Sequence, residues 1–429
     1  MDPVRIAAQL ARDASYELSS LDLGTRNDAL LRIAEALKAN MEEIVEANQK
    51  DLASAKAAKI SPVMIKRLRY DEEKIEESVR SIRSLMEQED VVGKLLSRTE
   101  LDDGLVLDKV SCPIGVIGVV FESRPEALVQ ISCLCLRSGN AVLLKGGVEA
   151  KGTNEILART IVEAAASVDE RFRNAVQLLS TREQFQELLR HDDLIDLIIP
   201  RGSNELVRSI KNSTRIPVLG HAAGICHTYV DKAADLGMAV RVCYDAKVQY
   251  PAVCNAMETL LVHRDVAEAF LPRMAARYAE AGVRLKGDEE VRSIISAEPA
   301  TEDDWSAEYG DLVLSIRTVG SVNEAIEHIN RYSSHHTDAI ITADAAAANR
   351  FLDLVDSSSV MWNASTRFAD GYRYGLGAEV GISTNKTHAR GPVGLEGLVI
   401  YKYRLAGAGH VVVDYTGTNA RKFTHRRLE

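Results

Sequence analysis

The sequence is defined first by what it lacks. No apolar run approaches the roughly 20 residues that a membrane-spanning helix requires. The opening stretch, MDPVRIAAQLARDASYELSS, carries early acid and no continuous apolar core, so it does not read as a secretory signal. Basic excess is missing too: 52 Lys and Arg stand against 62 Asp and Glu, a net charge of −10. That balance excludes nonspecific nucleic-acid binding. An anionic ligand would have to be held by local Lys, Arg or backbone N–H groups against the global field. None of the six cysteines (Cys112, Cys133, Cys135, Cys226, Cys243, Cys254) forms a C-x-x-C pair. Reduced thiols in a cytoplasmic setting are expected, most of them inert core residues. There is no H-E-x-x-H motif, and the adjacent His335 and His336 point in different directions, so no metal site is expected. Short-period repeats and low-complexity linkers are also absent.

What is present is a soluble globular composition, 46% hydrophobic and 27% charged, over 429 residues. That length exceeds one ordinary core and predicts two or three domains. The first ninety residues are helical in pattern. Thr25 and Asp28 resemble a capping box, and Leu30, Leu31, Ile33, Ala34 and Leu37 follow at helical spacing. Pro62 just after Ser61 opens a further helix. Asp103-Gly104 then signals a hairpin.

From Ile114 the text alternates. IGVVF, NAVLLK, NAVQLLS and LIDLIIP read as buried strands, with helical stretches such as RPEALVQISCLCLRSG between them. The pattern restarts with ICHTYV and continues through GDLVLSIRTV and TDAIITAD. Strands alternating with helices of this length predict α/β architecture with parallel, doubly wound sheets. The late segment GLVIYKYRLAGAGHVVVDY is β-like and too short for a domain, so it is expected to pair with another sheet.

Two glycine turns follow strands: Gly146-Gly147 after Lys145, and Gly202-Ser203 after Arg201. Taken alone, each reads more readily as a tight βα turn than as a backbone cradle for a nucleotide. Their recurrence favours the nucleotide, since ligands in open α/β sheets sit at the strands' C-terminal ends. In YPAVCNAMETLLVH, Pro251 imposes an extended approach to Cys254, and a helix-like run follows. Cys254 is there either a small buried hydrophobe or a nucleophile whose thiolate a helix N-terminus stabilises.

That stretch, with GVVFESRPE, NASTRFADG and GLGAEVGISTNKTHARGPVGLEGL, closely resembles the gamma-glutamyl phosphate reductases (glutamate-5-semialdehyde dehydrogenases) of the aldehyde dehydrogenase superfamily. The resemblance runs from about Ala7 to about Lys402. It implies two doubly wound α/β domains plus a β-flap for oligomerisation. Residues 1–97 and 112–224 would form the cofactor-binding domain, with 364–396 returning to it; 225–363 the catalytic domain; and 98–111 with 397–415 the flap. It further implies NADPH-dependent reduction of L-glutamyl 5-phosphate to L-glutamate 5-semialdehyde and phosphate, the second step of proline biosynthesis. The chain has no room for the glutamate 5-kinase to which some relatives are fused. It is expected to be the free-standing reductase and a homo-oligomer, with the kinase a candidate docking partner.

The resemblance also assigns roles. Cys254 falls on the nucleophile. Lys145, Gly146 and Gly147 fall where the superfamily holds the adenosine ribose, and Gly202 and Ser203 on the turn beneath the cofactor. Glu308 falls near the glutamate that touches the nicotinamide ribose. Ser123 or Arg124 stands near the oxyanion-hole position, with Asn255 beside the nucleophile. Asn363, Ser365 and Arg367 are expected at the active-site mouth. Arg124, Arg367, Lys386 and Arg390 are candidates for the two anionic ends of the substrate; each could instead be a surface salt-bridge residue. Hydrolytic aldehyde dehydrogenases carry a water-activating glutamate in a motif resembling Glu-Leu-Gly-Gly. Here Val218 stands in its place before Leu219-Gly220. A valine cannot take a proton from water.

Overall fold

The computed structural model describes residues 2–221 and 223–428. Five helices open the chain: Pro3–Leu18, Leu23–Ala39, Met41–Ala57, Pro62–Leu68 and Glu72–Met86. Strands follow in the order β1 (Leu95–Asp102), β2 (Leu105–Pro113), β3 (Val116–Phe121), β4 (Ala141–Lys145), β5 (Val176–Leu179) and β6 (Leu197–Arg201). Next come β7 (Cys226–Val230), β8 (Met257–His263), β9 (Arg284–Gly287), β10 (Glu298–Pro299), β11 (Val313–Val319), β12 (Thr337–Ile341) and β13 (Ser359–Trp362). The short β14 (Ile382–Ser383) and β15 (Gly391–Pro392) pair with each other, and β16 (Val399–Ala406) and β17 (Arg426–Leu428) close the chain.

Two parallel sheets organise these elements. The first has the order β5-β4-β3-β6, the second β10-β9-β11-β8-β7-β12-β13. In the first sheet the chain begins at β3, moves outward through β4 and β5, then returns to the other side of β3 as β6. The reversal between β3 and β6 opens a crevice at their C-terminal ends, where open α/β sheets take their ligands. Ser123 and Arg124 follow β3, and Gly202 and Ser203 follow β6, so both pairs stand on that rim. The first core packs the N-terminal helices, this sheet and, from the end of the chain, Ala378, Val380, Val393, Leu395 and Leu398. Two further cores cover the second sheet, one around Phe270, Leu271 and Met274, the other around Ile326, Ile329 and Phe351.

A third, antiparallel sheet has the order β16-β2-β1-β17. The β1–β2 hairpin turns at Asp103-Gly104, with Gly104 at φ +71°, the conformation that favours glycine. β16 lies along β2 in register from Val399 opposite Pro113 to Ala406 opposite Val106.

The structure corrects several local expectations. The cap of the second helix is Asp22, whose carboxylate accepts the Thr25 N–H at 2.8 Å; Thr25 lies inside the first turn. Val412–Tyr415 forms a 3-10 turn rather than strand, and the flap's fourth strand is the C-terminal Arg426–Leu428, beyond the expected boundary. The largest correction concerns the run after Cys254. It is strand β8, buried at all seven positions in the middle of the second sheet. A short continuous apolar run has no periodicity that separates a buried strand from a buried helix, and β8's own neighbours on both sides settle it.

Candidate active site

Cys254 occupies a turn between the helix Leu236–Val248 and β8, at the N-terminal edge of the second sheet. No helix begins at the cysteine, so the helix-terminus stabilisation of a thiolate expected from sequence has no structural basis. Other features hold the turn. The Cys254 carbonyl accepts the Cys226 thiol at 3.2 Å, and the Ala256 N–H donates to the Val253 carbonyl at 2.9 Å. Asn255 Nδ2 donates to the Ala369 carbonyl at 2.8 Å, while its buried Oδ1 has no partner. Gly224 packs so closely that a Cβ there would sit 2.2 Å from the Cys254 carbonyl oxygen. Cys254 is half-buried, whereas Cys133, Cys135, Cys226 and Cys243 are fully buried. Burial raises all four buried thiols, Cys133 to about 12, and so keeps them protonated and inert.

Two imidazoles complete the thiol's surroundings. His221, His336 and Cys254 each bring a donor atom within 4.8 Å of the others. His221 lies in the segment joining the two sheets, and its Nδ1 meets the Ile382 carbonyl at 2.9 Å. A carbonyl only accepts, so Nδ1 carries the proton and Nε2 keeps its lone pair. Burial lowers the His221 pKa, favouring the neutral ring. His336 immediately precedes β12 and is wholly buried. Spacing along the chain carries no trace of this cluster, because its members come from three separate segments.

The expected anion-binding residues divide. Arg367 is buried at the site, its Nε donating to Gln249 at 3.0 Å; burial and then Arg373 lower its pKa, against Asp245 and Asp370. Ser365 caps the short turn that presents it, accepting the Arg367 N–H at 3.3 Å. Arg124 ends the loop after β3, half-buried and with no ion-pair partner among the described residues. Lys386 and Arg390, by contrast, both bind Asp356, Arg390 through its carboxylate at 3.1 Å and its carbonyl at 3.0 Å. The salt-bridge reading holds for these two. Asn363 is likewise committed: Oδ1 accepts the Thr342 N–H and Nδ2 donates to the Thr342 carbonyl, both at about 3 Å. Its φ of +55° suits an asparagine, and its role is to tie β13 to the end of β12.

Arg201, which the sequence reading used only to mark the end of a strand, is a third guanidinium here. Burial lowers its pKa, and the charges of Glu379, Arg124 and Cys254 all act on it. Its Nη1 donates to the Glu379 carbonyl at 3.4 Å, with no carboxylate in ion-pair range among the described residues. A cation at the C-terminal end of β6, directly before the glycine turn, is the signal that could have identified it.

Ser123 stands in the left-handed region at φ +44°. Its N–H and hydroxyl both donate to Glu149 Oε1, so neither is free to serve as an oxyanion donor in this arrangement. Arg124 is the unencumbered member of that pair. Glu149 reaches Ser123 across Gly147, where a Cβ would meet the carboxylate at 2.0 Å and push that side chain away from Ser123. Gly146 and Gly147 line a hollow with Lys151, Asn154, Leu179 and Ser180. Lys145 stands at its strand end without an ion-pair partner among the described residues. Gly202 faces Glu122, Ser203 caps the helix Asn204–Ser213, and Asn204 Nδ2 donates to Glu308 at 2.5 Å. Glu308 therefore links the second sheet's loops to the rim of the first.

A profile described as "Aldehyde dehydrogenase family" matches residues 2–302. The chain is 54% identical to a gamma-glutamyl phosphate reductase of Methanosarcina mazei, over 98% of this chain and 96% of that one. It is 56% identical to one from Pelotomaculum thermopropionicum, with the same coverage. The solved gamma-glutamyl phosphate reductase of Thermotoga maritima superposes with a TM-score of 0.93 at 38% identity, covering 96% of this chain and all of that one. An acetylating aldehyde dehydrogenase from Geobacillus thermoglucosidasius, 16% identical with a TM-score of 0.65, shares the fold. With two parallel sheets meeting at a cysteine turn and relatives matched over nearly its whole length, the chain belongs to the gamma-glutamyl phosphate reductases of the aldehyde dehydrogenase family.

Proposed function

We propose that the protein reduces L-glutamyl 5-phosphate to L-glutamate 5-semialdehyde and phosphate, with NADPH as reductant and a thioester on Cys254 as intermediate, in the second step of proline biosynthesis. The observation that carries this reading is the half-buried Cys254 beside two imidazoles, with Arg201 and Arg367 about it. The names of the relatives support the substrate.

The residues present suit a nicotinamide dinucleotide. The Gly146-Gly147 hollow and the Gly202-Ser203 helix start would receive its phosphates and adenosine at the strand ends. Lys145, lacking an ion-pair partner among the described residues, would hold the ribose or its 2′-phosphate. Glu149, the acid that would repel a 2′-phosphate, is engaged by Ser123. Bound NADPH supplies the hydride that reduces the thioester.

The chain's own residues do the rest. Cys254 gives its proton to His221 Nε2 and attacks the acyl carbon. The carbonyl oxygen gathers charge, which the Cys254 N–H and Arg124 stabilise. The C–O bond to phosphate breaks, and the imidazolium returns the proton to the departing phosphate. Arg201 and Arg367 neutralise the substrate's anionic ends, where planar donors suit carboxylate and phosphate. After reduction the C–S bond breaks, releasing aldehyde, and the thiolate takes up a solvent proton.

No described helix is long and apolar enough to cross a membrane. A cytoplasmic setting remains the reading from the reduced thiols. The exposed strand β16, with Tyr401, Tyr403 and Leu405 on its surface, would join a second copy of the chain. Docking of glutamate 5-kinase would shelter the labile acyl phosphate.

The test is Cys254→Ala assayed by NADPH absorbance with enzymatically generated glutamyl phosphate. Turnover should vanish while NADPH binding persists. Wild-type rates in that variant would refute the thioester route. The rival readings are an ordinary aldehyde dehydrogenase, which would oxidise semialdehyde to glutamate without phosphate, and a silent scaffold, which would act on neither substrate.

A further inference from the structure

The Cys254, His221 and His336 cluster has a second property, independent of hydride chemistry. Its donors are one sulfur and two imidazole nitrogens, mutually within 4.8 Å. In a tetrahedral zinc site, with Zn–S near 2.3 Å and Zn–N near 2.0 Å, neighbouring ligand atoms lie roughly 3.5 Å apart. An inward shift of about 1 Å, within reach of side-chain rotation at a turn, converts one geometry into the other.

The rings are already oriented as metal ligands usually are. Metal-binding histidines donate their other ring N–H to a carbonyl or similar acceptor, which fixes the tautomer. His221 Nδ1 does this at the Ile382 carbonyl and leaves Nε2 free. His336 Nδ1 meets the Thr337 hydroxyl at 2.9 Å, and its Nε2 is buried with no partner at all. A buried nitrogen without a hydrogen bond is destabilising, and a ligand would relieve it. One thiolate and two imidazoles leave a fourth position open to water or an anion. That donor set selects a borderline-soft cation such as Zn²⁺ and rejects Mg²⁺ and Ca²⁺. Arg201 and Arg367, close to Cys254, oppose a further positive charge. The site is therefore reversible rather than structural, and phosphate in the open position would strengthen it.

We propose that Cys254, His221 and His336 form a reversible Zn²⁺ site whose occupation silences the enzyme by capping the thiolate. The binding rests on geometry alone; the inhibition rests on Cys254 being the nucleophile.

The experiment uses the reduced, metal-free full-length protein and Co²⁺ as a coloured stand-in for Zn²⁺. One equivalent should give a thiolate-to-cobalt absorption band in the near ultraviolet, discharged by Zn²⁺. The band should disappear in Cys254→Ser and after iodoacetamide treatment of the folded wild type, a second route that does not depend on a variant folding. His336→Gln should weaken binding at least roughly tenfold. Zn²⁺ should protect Cys254 from alkylation, inhibit turnover competitively with the acyl phosphate, and be reversed by EDTA. No band, or a band that survives in Cys254→Ser, overturns the site. A band with no inhibition overturns the silencing. If Cys254→Ala is inactive but no band forms, the thioester reading stands and the zinc site falls. If the band forms and Cys254→Ala still turns over, the thioester reading falls and the metal site stands.

Discussion

Replacing Gly224 with alanine tests whether backbone packing at one glycine sets the position of Cys254, the proposed nucleophile. The added methyl would lie 2.2 Å from the Cys254 carbonyl oxygen, 2.4 Å from its Cα and 2.6 Å from its carbonyl carbon. All three are backbone atoms, so no rotamer change can relieve the overlap, and the two segments must part by about 1 Å to reach ordinary contact. The same carbonyl accepts the Cys226 thiol, so the shift also breaks that bond. A misplacement of about 1 Å at a reacting group costs on the order of 100-fold in rate. Overpacking costs about 1–3 kcal/mol in stability. Gly224→Ala should lower kcat by about two orders of magnitude and slow iodoacetamide alkylation of Cys254, while urea melting shows a folded, modestly destabilised protein. Gly282→Ala is the control: its φ of +71° strains an alanine, but nothing lies within 4 Å of the new methyl. It should lose stability and keep kcat. A Gly224→Ala enzyme with wild-type kcat and alkylation rate would refute the claim that this contact positions the cysteine.

Arg201→Ala should raise the Michaelis constant for glutamyl phosphate at least about tenfold, since a guanidinium with no carboxylate partner is lost. Arg390→Ala, whose guanidinium is held by Asp356, should leave that constant unchanged and only reduce stability; the reverse ranking would restore Arg390 to the site. With Val218 in place of a water-activating carboxylate, semialdehyde and NADP⁺ should give steady turnover only with added phosphate or arsenate. Brisk phosphate-independent glutamate formation would mean that His221 or another base serves water. Tyr403→Asp with Leu405→Asp on the exposed β16 should shift the protein to a smaller species in light scattering, and an unchanged mass would count against the strand-pairing interface. His328 is held neutral in the fold, its pKa pushed down to about 2, first by burial and then by the charges of His227, Arg317 and Arg331. The unfolded chain therefore binds the extra proton between about pH 2 and 6.5, so this stability is complete above 6.5 and is lost as pH falls. His328→Gln should flatten the stability–pH slope below 6.5 by up to about 1.4 kcal/mol per pH unit in urea titrations; an unaltered slope would refute the assignment.

Alternation of apolar runs with amphipathic stretches was enough to read the parallel α/β architecture, because that periodicity is written residue by residue. The Asp103-Gly104 hairpin and the Ser61-Pro62 helix start were legible for the same local reason. The family resemblance, carried by contiguous motifs, pointed to Cys254, Lys145 and the two glycine turns. What the sequence could not express was anything that depends on partners distant in the chain. β8 reads as a helix until β7 and β11 claim its backbone hydrogen bonds. Lys386 and Arg390 look like anion receptors until Asp356 is found between them, and Asn363 looks like a lining residue of the active-site mouth until Thr342 takes both ends of its amide. Arg201 stands out only once the fold shows its guanidinium on the Glu379 carbonyl, with no carboxylate in ion-pair range among the described residues. His221, Cys254 and His336 are separated by 33 and 82 positions in sequence and converge because β7, β8 and β12 lie close together in one sheet. Local order follows from residue type and spacing; charge pairing, ligand clusters and close backbone approach follow from which segments the fold brings together.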